Sequence, residues 1–329
     1  MSTVRWLGAF VGLIVFACGT AWPQPASTGS GQAYPSKPVR VVVVFPPAGA
    51  TDIVGRIVSQ KVSEQLNQQF VIDNRGGAGG TIGAAIVAKS PPDGYTLMVY
   101  SATLVANAHL YKTLPYDALK DFIGIAPVAR LVGVLVVHPS MPVRTIKDLI
   151  ALAKARPGEL VYGSAGVGAF QHLSTSLFAN MAGLNMLHIP YKGGGPAAVA
   201  TAAGEIHMLL TPISEVLPHI KTDRVRPIAV SSDARVTQLP NIPTIGETVK
   251  GYEFISWMGF FTPAGTPKTI VDKLNAELKK AVADPGVASN LSAQSLDPMY
   301  MTPEEFAKML KAEYDKYENV VKLSGARID

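Results

Sequence analysis

Two glycine-containing loops could hold an anion with their backbone N–H groups. The first reads PPAGATD at residues 46–52 and leads into an amphipathic stretch. The second reads GSAGVG at residues 163–168, lies between a predicted strand and a predicted helix, and adds the hydroxyl of Ser164. Amides at the start of a helix lie at the positive end of its dipole and suit a carboxylate. A turn with a helix cap at Thr51 or Asp52 is the alternative for the first loop, but a pair of such loops, one in each half, favours a binding cleft.

Four other features could contribute to a site, and each has a structural alternative. Lys192, beside three glycines, could pair with an anion, although a solvated surface lysine is favoured. The segment 75–80 (RGGAGG) is interpreted as a tight crossover after a strand. His172 could face the cleft, but a hydrogen-bonded histidine at a helix start is favoured. Trp257 and Phe260 could form an apolar wall for a ligand or pack at a hinge.

The sequence lacks the motifs of several enzyme classes. The dinucleotide fingerprint fails because Ile82 and Gln171 stand where its last glycine belongs. A nucleophile elbow around Ser164 fails because Tyr162 replaces its first glycine. None of the six histidines falls at a metal-ligand spacing, and a single cysteine excludes a cysteine-based zinc cluster. We therefore predict no catalytic residue, no metal site and no cofactor.

Composition and the N-terminus narrow the class of protein. The chain has 329 residues, of which 16% are charged, and a formal net charge of +5. It has no Lys/Arg run that would follow a phosphate backbone, so nucleic acid is not an expected partner. Arg5 precedes an apolar run at residues 6–17, which is typical of a secretory signal and too short to span a bilayer. We expect cleavage after Ala21 or Ala33, and a lipid anchor at Cys18 is disfavoured because a bulky residue stands two positions before it.

The periodicity of the apolar residues predicts an α/β fold with two similar halves. Strand-like runs alternate with helical stretches in the first part of the chain, and the alternation repeats in the second. The predicted strands are 39–45, 70–73, 96–100, 134–138, 160–162, 187–189, 207–210 and 228–230. The predicted helices are 53–66, 81–88, 145–155, 170–182, 196–203, 267–283 and 303–323.

The last two helices have no strand of their own, so we expect them to return to the first sheet to bury their apolar faces. The chain would then cross twice between the halves, at residues 131–138 and 253–262. Two lobes joined by two extended segments make a hinged clamshell with the ligand in the cleft. The predicted boundaries are residues 34–131 plus 262–329 for lobe 1 and 132–261 for lobe 2.

Seven motifs carry a resemblance to a known family. They are YPSKPVRVVVVFPPAGATD at 34–52, NRGGAGGTIGA at 74–84, PDGYTL at 92–97, LYKTLPYD at 110–117, YGSAGVGAFQHLS at 162–174, IPYKGGGPA at 189–197 and FTPAGTP at 261–267. The chain from Tyr34 onward resembles the Bug-type substrate-binding proteins of tripartite tricarboxylate transporters. The resemblance implies a two-lobed periplasmic-binding-protein (Venus flytrap) fold that captures a small organic acid for a membrane permease. It also implies that one ligand carboxylate is held largely by backbone amides and waters between the two loops.

The chain departs from the family pattern at two places. Ala48 and Ala50 replace a glycine and a proline in the first loop, and Thr211 with Pro212 stands where the family often carries an aspartate. Without that acidic group an amino-acid ligand is disfavoured, and a small (di)carboxylate or an aromatic acid is expected. The predicted ligand-binding residues are Pro46, Pro47, Ala48, Gly49, Ala50, Thr51, Ser101, Gly163, Ser164, Ala165, Gly166, Val167, Gly168 and Thr211.

The expected partners are the ligand and the permease subunits of such a transporter, with the protein itself a monomer in the periplasm. Two other functions stay open at this point. One is a periplasmic sensory partner that presents the bound acid to a signalling receptor, since closure on a ligand would serve either role. The other is an enzyme acting on an organic acid.

Overall fold

The structure is a computed structural model that describes residues 34–45, 47, 49–191 and 193–327. From Tyr34 onward the chain clusters by its contacts as one compact unit. The lobe boundaries given above therefore stay a prediction. The sequence-based assignments that lie outside the described residues are the signal segment 1–33 with its cleavage sites and Cys18, and the residues Pro46, Ala48 and Lys192.

The first half folds as the predicted alternation of strands and helices. Its elements are β1 (Val39–Val43), α1 (Ala50–Leu66), β2 (Phe70–Asn74), α2 (Thr81–Ala88), β3 (Thr96–Ser101) and α3 (Thr103–Leu110). β1 pairs in parallel with β2 on one side and β3 on the other. The sequence pattern does not indicate α3, because most of its residues are buried and no polar face gives it an amphipathic period.

The second half repeats this arrangement. Its elements are β4 (Phe122–Val137), α4 (Ile146–Ala155), β5 (Val161–Ser164), α5 (Phe170–Ala182), β6 (Leu187–Pro190), α6 (Gly194–Ala203), β7 (Met208–Pro212), α7 (Ile213–Lys221) and β8 (Arg226–Val230). β5 pairs in parallel with β6 and β7, so the carboxyl ends of these strands lie at one edge. The sequence pattern does not indicate α7, because Pro218 interrupts it.

Two paired strands join the halves. β4 is 16 residues long and pairs antiparallel with β9 (Ile255–Pro263), from Phe122 opposite Pro263 to Val132 opposite Ile255. The last residues of β4 pair antiparallel with β7 and β8 instead. The strand order is therefore β2-β1-β3-β9-β4-β7-β5-β6. The predicted crossings coincide with the end of β4 and with β9, but the first crossing strand begins well before residue 131.

The C-terminal part contains a strand that the sequence analysis did not predict, and its helices return to the first half only in part. It contains α8 (Lys268–Ala283), α9 (Pro285–Ala293), β10 (Leu296–Pro298) and α10 (Pro303–Ser324). β10 pairs antiparallel with β4, so the region does have a strand, although three residues are too few to give a periodic signal. Leu274 and Leu278 of α8 join the core of the first half, as predicted. α10 packs on both α3 and α5 and so touches both halves. Within the described residues, no helix has the length and apolar character needed to cross a membrane.

Candidate functional site

A cavity of about 400 Å³ lies where the first loop faces the crossing strands and the start of α5. Its size falls in the range of about 300–1,000 Å³ typical of small-molecule sites. Apolar side chains form most of its wall, and the polar groups are hydroxyls and backbone. The lining residues are Phe45, Pro47, Gly49, Ala50, Thr51, Ser101, Thr103, Leu131, Phe170, Pro212, Ser256 and Met258. Among these described residues, none carries a charged side chain.

The first loop brings the start of α1 to this cavity. α1 begins at Ala50, three residues earlier than predicted, and Gly49 is its N-cap residue with an extended backbone (φ −78°, ψ 161°). The N-cap residue is Gly49, which has no side chain to cap the helix, so the alternative of a turn capped by Thr51 or Asp52 is wrong. The first N–H groups of a helix lack intrahelical acceptors. Among the described residues, no side chain accepts from the N–H groups of Ala50 and Thr51, so these two groups are suited to an anionic ligand.

Asp52 supports the loop from behind. Its carboxylate is 2% exposed and accepts hydrogen bonds from Arg56 Nε (2.9 Å) and Asn74 Nδ2 (2.9 Å). Asn74 Nδ2 also donates to the carbonyl oxygen of Phe45 (3.0 Å). These bonds join the first turn of α1 to the ends of β1 and β2. A buried carboxylate with charge-assisted hydrogen bonds therefore holds the start of α1 against the ends of these strands.

Hydroxyl groups line the cavity at the ends of β3 and β9. Ser101 Oγ lies 3.0 Å from Thr103 Oγ1, to which it donates, and Ser101 is opposite Met258 in the strand register. Ser256 and Met258 face the cavity because side chains alternate along a strand. Trp257 points the other way, where its ring centroid lies 5.3 Å from that of Phe306. Trp257 and Phe260 are buried and do not line the cavity, which confirms that they pack at the crossing.

The second loop does not line this cavity in the described structure. Ser164 is buried, and its Oγ lies 2.6 Å from His188 Nε2 and accepts from the Gly166 N–H (3.1 Å). The Gly168 N–H donates to His172 Nδ1 (3.1 Å). From this side the cavity is lined instead by Phe170, immediately after the loop, and by Pro212. The role of Gly163, Ser164, Ala165, Gly166, Val167 and Gly168 in binding stays a prediction.

His172 is the hydrogen-bonded histidine at the start of α5 that the sequence favours. Its ring stacks on that of His188 with 4.0 Å between centroids and 5° between planes. Burial and, secondarily, the neighbouring His188 lower the pKa of His172 to about 4, and burial also lowers the pKa of His188. Both rings line a second, more polar cavity of about 490 Å³ on the far side of α5. Both histidines are therefore neutral at neutral pH.

Glu215 is a polar residue near the site that the sequence analysis missed. Its carboxylate accepts from Gln171 Nε2 (3.0 Å) and from the hydroxyl of Thr211, which is fully buried. Burial raises the pKa of Glu215, and the two hydrogen bonds oppose that shift. The same carboxylate lies against Gly194, where any Cβ would overlap it. The start of α6 thus faces an acidic group of the chain itself, and Thr211 is a partner of that group rather than part of the cavity lining.

The glycine-rich segment after β2 has the structural role expected of it. Ala78–Gly80 forms a short 3-10 turn, and Gly80 (φ +94°) lies so close to Tyr100 that no side chain could fit. Arg75 pairs with Asp73 at 2.9 Å. The segment is a tight crossover between β2 and α2.

A cavity between two α/β halves that are joined by paired crossing strands, with a mostly apolar wall and a few hydroxyl groups, defines the class of two-lobed periplasmic binding proteins. Residues 54–325 match the family described as the Tripartite tricarboxylate transporter family receptor. The chain belongs to this family, whose members are periplasmic substrate-binding receptors rather than enzymes.

Similar proteins agree with this assignment. The chain is 34% identical to Protein BugT of Bordetella pertussis over the whole of both chains. It is 36% identical to the structure of R. palustris Rpa4515 with adipate, covering 90% of this chain and all of that one, with a TM-score of 0.78. It is 28% identical to MatC from Rhodopseudomonas palustris with bound malate, covering 88% of this chain and all of that one, with a TM-score of 0.73.

Proposed function

We propose that this protein captures a small organic acid with an apolar body and delivers it to the permease of a tripartite tricarboxylate transporter. The observation that carries the proposal is the start of α1, whose N-cap residue is a glycine without a capping side chain, beside a cavity with no charged side chain in its described lining. Amides at Ala50 and Thr51 would bind the carboxylate, and hydroxyls such as that of Ser101 would bind further oxygens. Leu131, Phe170 and the other apolar residues would contact the body of the ligand. Residues 163–168 would complete the grip when the halves close.

The ligand class follows from the same lining. Adipate and malate, named with two related structures, are dicarboxylates without an ammonium group. Glu215 is an acid near the site, but Gln171 and Thr211 already bind its carboxylate. An ammonium group would therefore have to compete with these bonds. Simple aliphatic dicarboxylates and aromatic acids fit better than amino acids.

Location and partners complete the proposal. The signal-like residues 1–33 support export to the periplasm, with cleavage after Ala21 or Ala33. The protein would act as a monomer, bind its permease in the ligand-bound form and catalyse no reaction.

A thermal-shift and calorimetric screen tests the ligand class. The panel is adipate, malate, benzoate, glutamate and aspartate at neutral pH. An acid at about 100 times its Kd stabilises the folded state by roughly 2.7 kcal/mol, which is readily detected. We expect binding among the first three. Tight binding of glutamate or aspartate alone would refute the proposed ligand class.

The variant Ala50→Pro tests the use of the α1 amides. Proline is well tolerated at the first position of a helix, and the extended backbone of Gly49 suits a residue before proline, so the variant removes one N–H without breaking α1. Because a hydrogen bond to a charged group contributes about 1.5–3 kcal/mol, we expect Kd to rise by roughly 10-fold or more. Lys268→Pro, at the first position of α8 and away from the cavity, is the matched control. Unchanged affinity in Ala50→Pro would exclude that amide from the site.

A further inference from the structure

The stacked rings of His172, His188 and Tyr162 anchor the second loop, because two of them form hydrogen bonds at its two ends. His188 Nε2 lies 2.6 Å from the hydroxyl of Ser164, where β5 ends, and His172 Nδ1 accepts the N–H of Gly168, just before α5. The two imidazoles are parallel at 4.0 Å, and Tyr162 stacks on the outer face of His188 at 4.9 Å. Rings from β5, β6 and α5 therefore form one continuous stack beneath the loop.

The second loop needs such support because its glycine-rich backbone has little intrinsic rigidity. Gly166 (φ +132°) and Gly168 (φ +77°) adopt conformations that side-chain-bearing residues rarely take, and glycines lose the most conformational freedom on ordering. A Cβ at Gly168 would come within 2.9 Å of Leu110 on α3, which belongs to the first half. The end of the loop that is bonded to His172 is thus the part that contacts the first half. Phe170 of the cavity wall follows two residues later.

We propose that His172 and His188 are positioning residues that hold the second loop in its ligand-binding conformation, with His172 required as a neutral hydrogen-bond acceptor. This inference rests on the proposed function, in which residues 163–168 complete the carboxylate grip. The N–H groups of Gly166, Gly168 and Ala169 are engaged within the chain. A carboxylate held by this loop would therefore meet the amides of Ala165 and Val167.

The surroundings of His172 favour the neutral ring. β6 presents His188 to its face, and β5 presents Tyr162 beyond His188. The end of α10 lines the adjoining cavity with the uncharged residues Leu323, Ser324, Gly325 and Ala326. The charged residues Glu318 and Lys322 of α10, and Arg327 after it, line a different cavity with His109. No carboxylate among these described residues faces His172 to stabilise its protonated form, and its lowered pKa agrees with this.

Two substitutions at residue 172 separate the acceptor from the ring. His172→Leu fills a similar space but removes the acceptor for the Gly168 N–H. His172→Asn places Oδ1 where Nδ1 was, so it keeps an acceptor that does not titrate. His207→Leu is the matched control, because His207 Nδ1 accepts the N–H of Val161 (2.9 Å) at the opposite end of β5. It removes the same kind of backbone N–H to imidazole bond without touching the loop.

The first measurement is amide hydrogen exchange at Gly168 in the ligand-free protein, and the second is Kd for adipate and malate at pH 7.5. We expect His172→Leu to lose protection at Gly168 and to raise Kd by roughly 5–10-fold, the effect of losing one buried hydrogen bond. His172→Asn and His207→Leu should stay within about twofold of wild type. As the pH falls toward about 4, His172 becomes protonated and loses its acceptor, so wild type should lose affinity faster than His172→Asn. Protonation of the ligand affects both proteins equally and does not account for the difference.

Three outcomes would overturn the proposal. Equal Gly168 exchange in wild type and His172→Leu would refute the positioning role directly. Equal Kd in those two proteins would show that the second loop does not contribute to binding. A Kd for His172→Asn as poor as that of His172→Leu would show that the ring matters and the acceptor does not. If wild type binds neither acid, the proposed function fails for these ligands and the ligand half of this inference fails with it, whereas the exchange measurement still decides the positioning half.

Discussion

Two glycines on β4 press against phenylalanine rings in nearly the same way, but only one of the rings lines the cavity. A Cβ added at Gly133 would lie 2.8 Å from the ring of Phe170, which forms part of the cavity wall. A Cβ added at Gly124 would lie 2.6 Å from the ring of Phe306, a fully buried residue of α10. The pair Gly133→Ala and Gly124→Ala therefore separates the effect of crowding a core from the effect of crowding the site.

The size of the perturbation follows from these distances. To reach an ordinary contact distance of 3.4 Å, the ring of Phe170 must move by about 0.6 Å, and we expect it to move into the cavity that it lines. Overpacking of this kind costs about 1–3 kcal/mol of folding stability. We expect both variants to lose that amount. A ligand that contacts Phe170 should lose a similar amount of binding free energy only in Gly133→Ala, which corresponds to a rise in Kd of roughly 5–150-fold.

Urea unfolding and calorimetry on the same preparations measure the two effects. The aromatic acid benzoate should be affected more than malate, because a flat ring needs more of the apolar wall than a short polar chain does. A rise in Kd of the same size in Gly124→Ala would mean that the loss of affinity reflects general destabilisation. Unchanged affinity in Gly133→Ala, with the expected loss of stability, would refute the argument that Phe170 contacts the ligand.

Three further predictions concern the supports of the site. Asp52→Asn should lower stability by about 1.5–3 kcal/mol in urea unfolding and weaken ligand binding, because Arg56 loses a buried charged acceptor; a change below 0.5 kcal/mol, on the order of that for ordinary surface substitutions, would contradict this. Phe306→Ala, which opens a cavity at the fully buried crossing, should cost about 3–5 kcal/mol with no change in the urea m-value, and a milder loss would show that the site collapses. The pKa of His172 in the folded protein, about 4, lies below its ordinary value of 6.5, so the unfolded chain takes up the proton first as the pH falls. The free energy of unfolding should therefore decrease between about pH 6.5 and 4, by at most about 3 kcal/mol. His172→Asn should remove this part of the pH dependence.

Much of the fold can be predicted from the sequence because the apolar residues follow the helical and the strand periodicity closely. The predicted helices at 81–88 and 170–182 have the bounds of α2 and α5, and the parallel strands of both halves are present. The elements without a sequence signal lack a period for a physical reason. α3 is buried on nearly all sides, α7 contains a proline, and β10 has three residues. Their positions are set by the packing of neighbouring elements.

The candidate site can be predicted from the sequence only in part, because its polar groups belong mostly to the backbone. The loop at residues 46–52 could be singled out from its glycine, prolines and the helix behind it. Leu131, Phe170 and Pro212 could not, because an apolar residue has the same sequence signal whether it faces a core or a cavity. Glu215 was missed because it lies four residues beyond Thr211, on a helix that the pattern does not indicate. Only the folded chain brings these residues together.

A site of this design separates the recognition of charge from the recognition of shape. In the proposed function, the amides at the start of α1 would not distinguish one carboxylate from another, because every such group presents the same two oxygens. Discrimination must then come from the apolar wall, which is built by residues from both halves, with Phe45 on one side and Phe170 and Pro212 on the other. Substitutions in the wall should change which acid is bound, whereas substitutions that disturb α1 or its Asp52 support should weaken every acid alike. Because the wall is divided between the halves, its shape would depend on how far they close in the proposed function, and we expect the supports of the second loop to influence selectivity without touching the ligand.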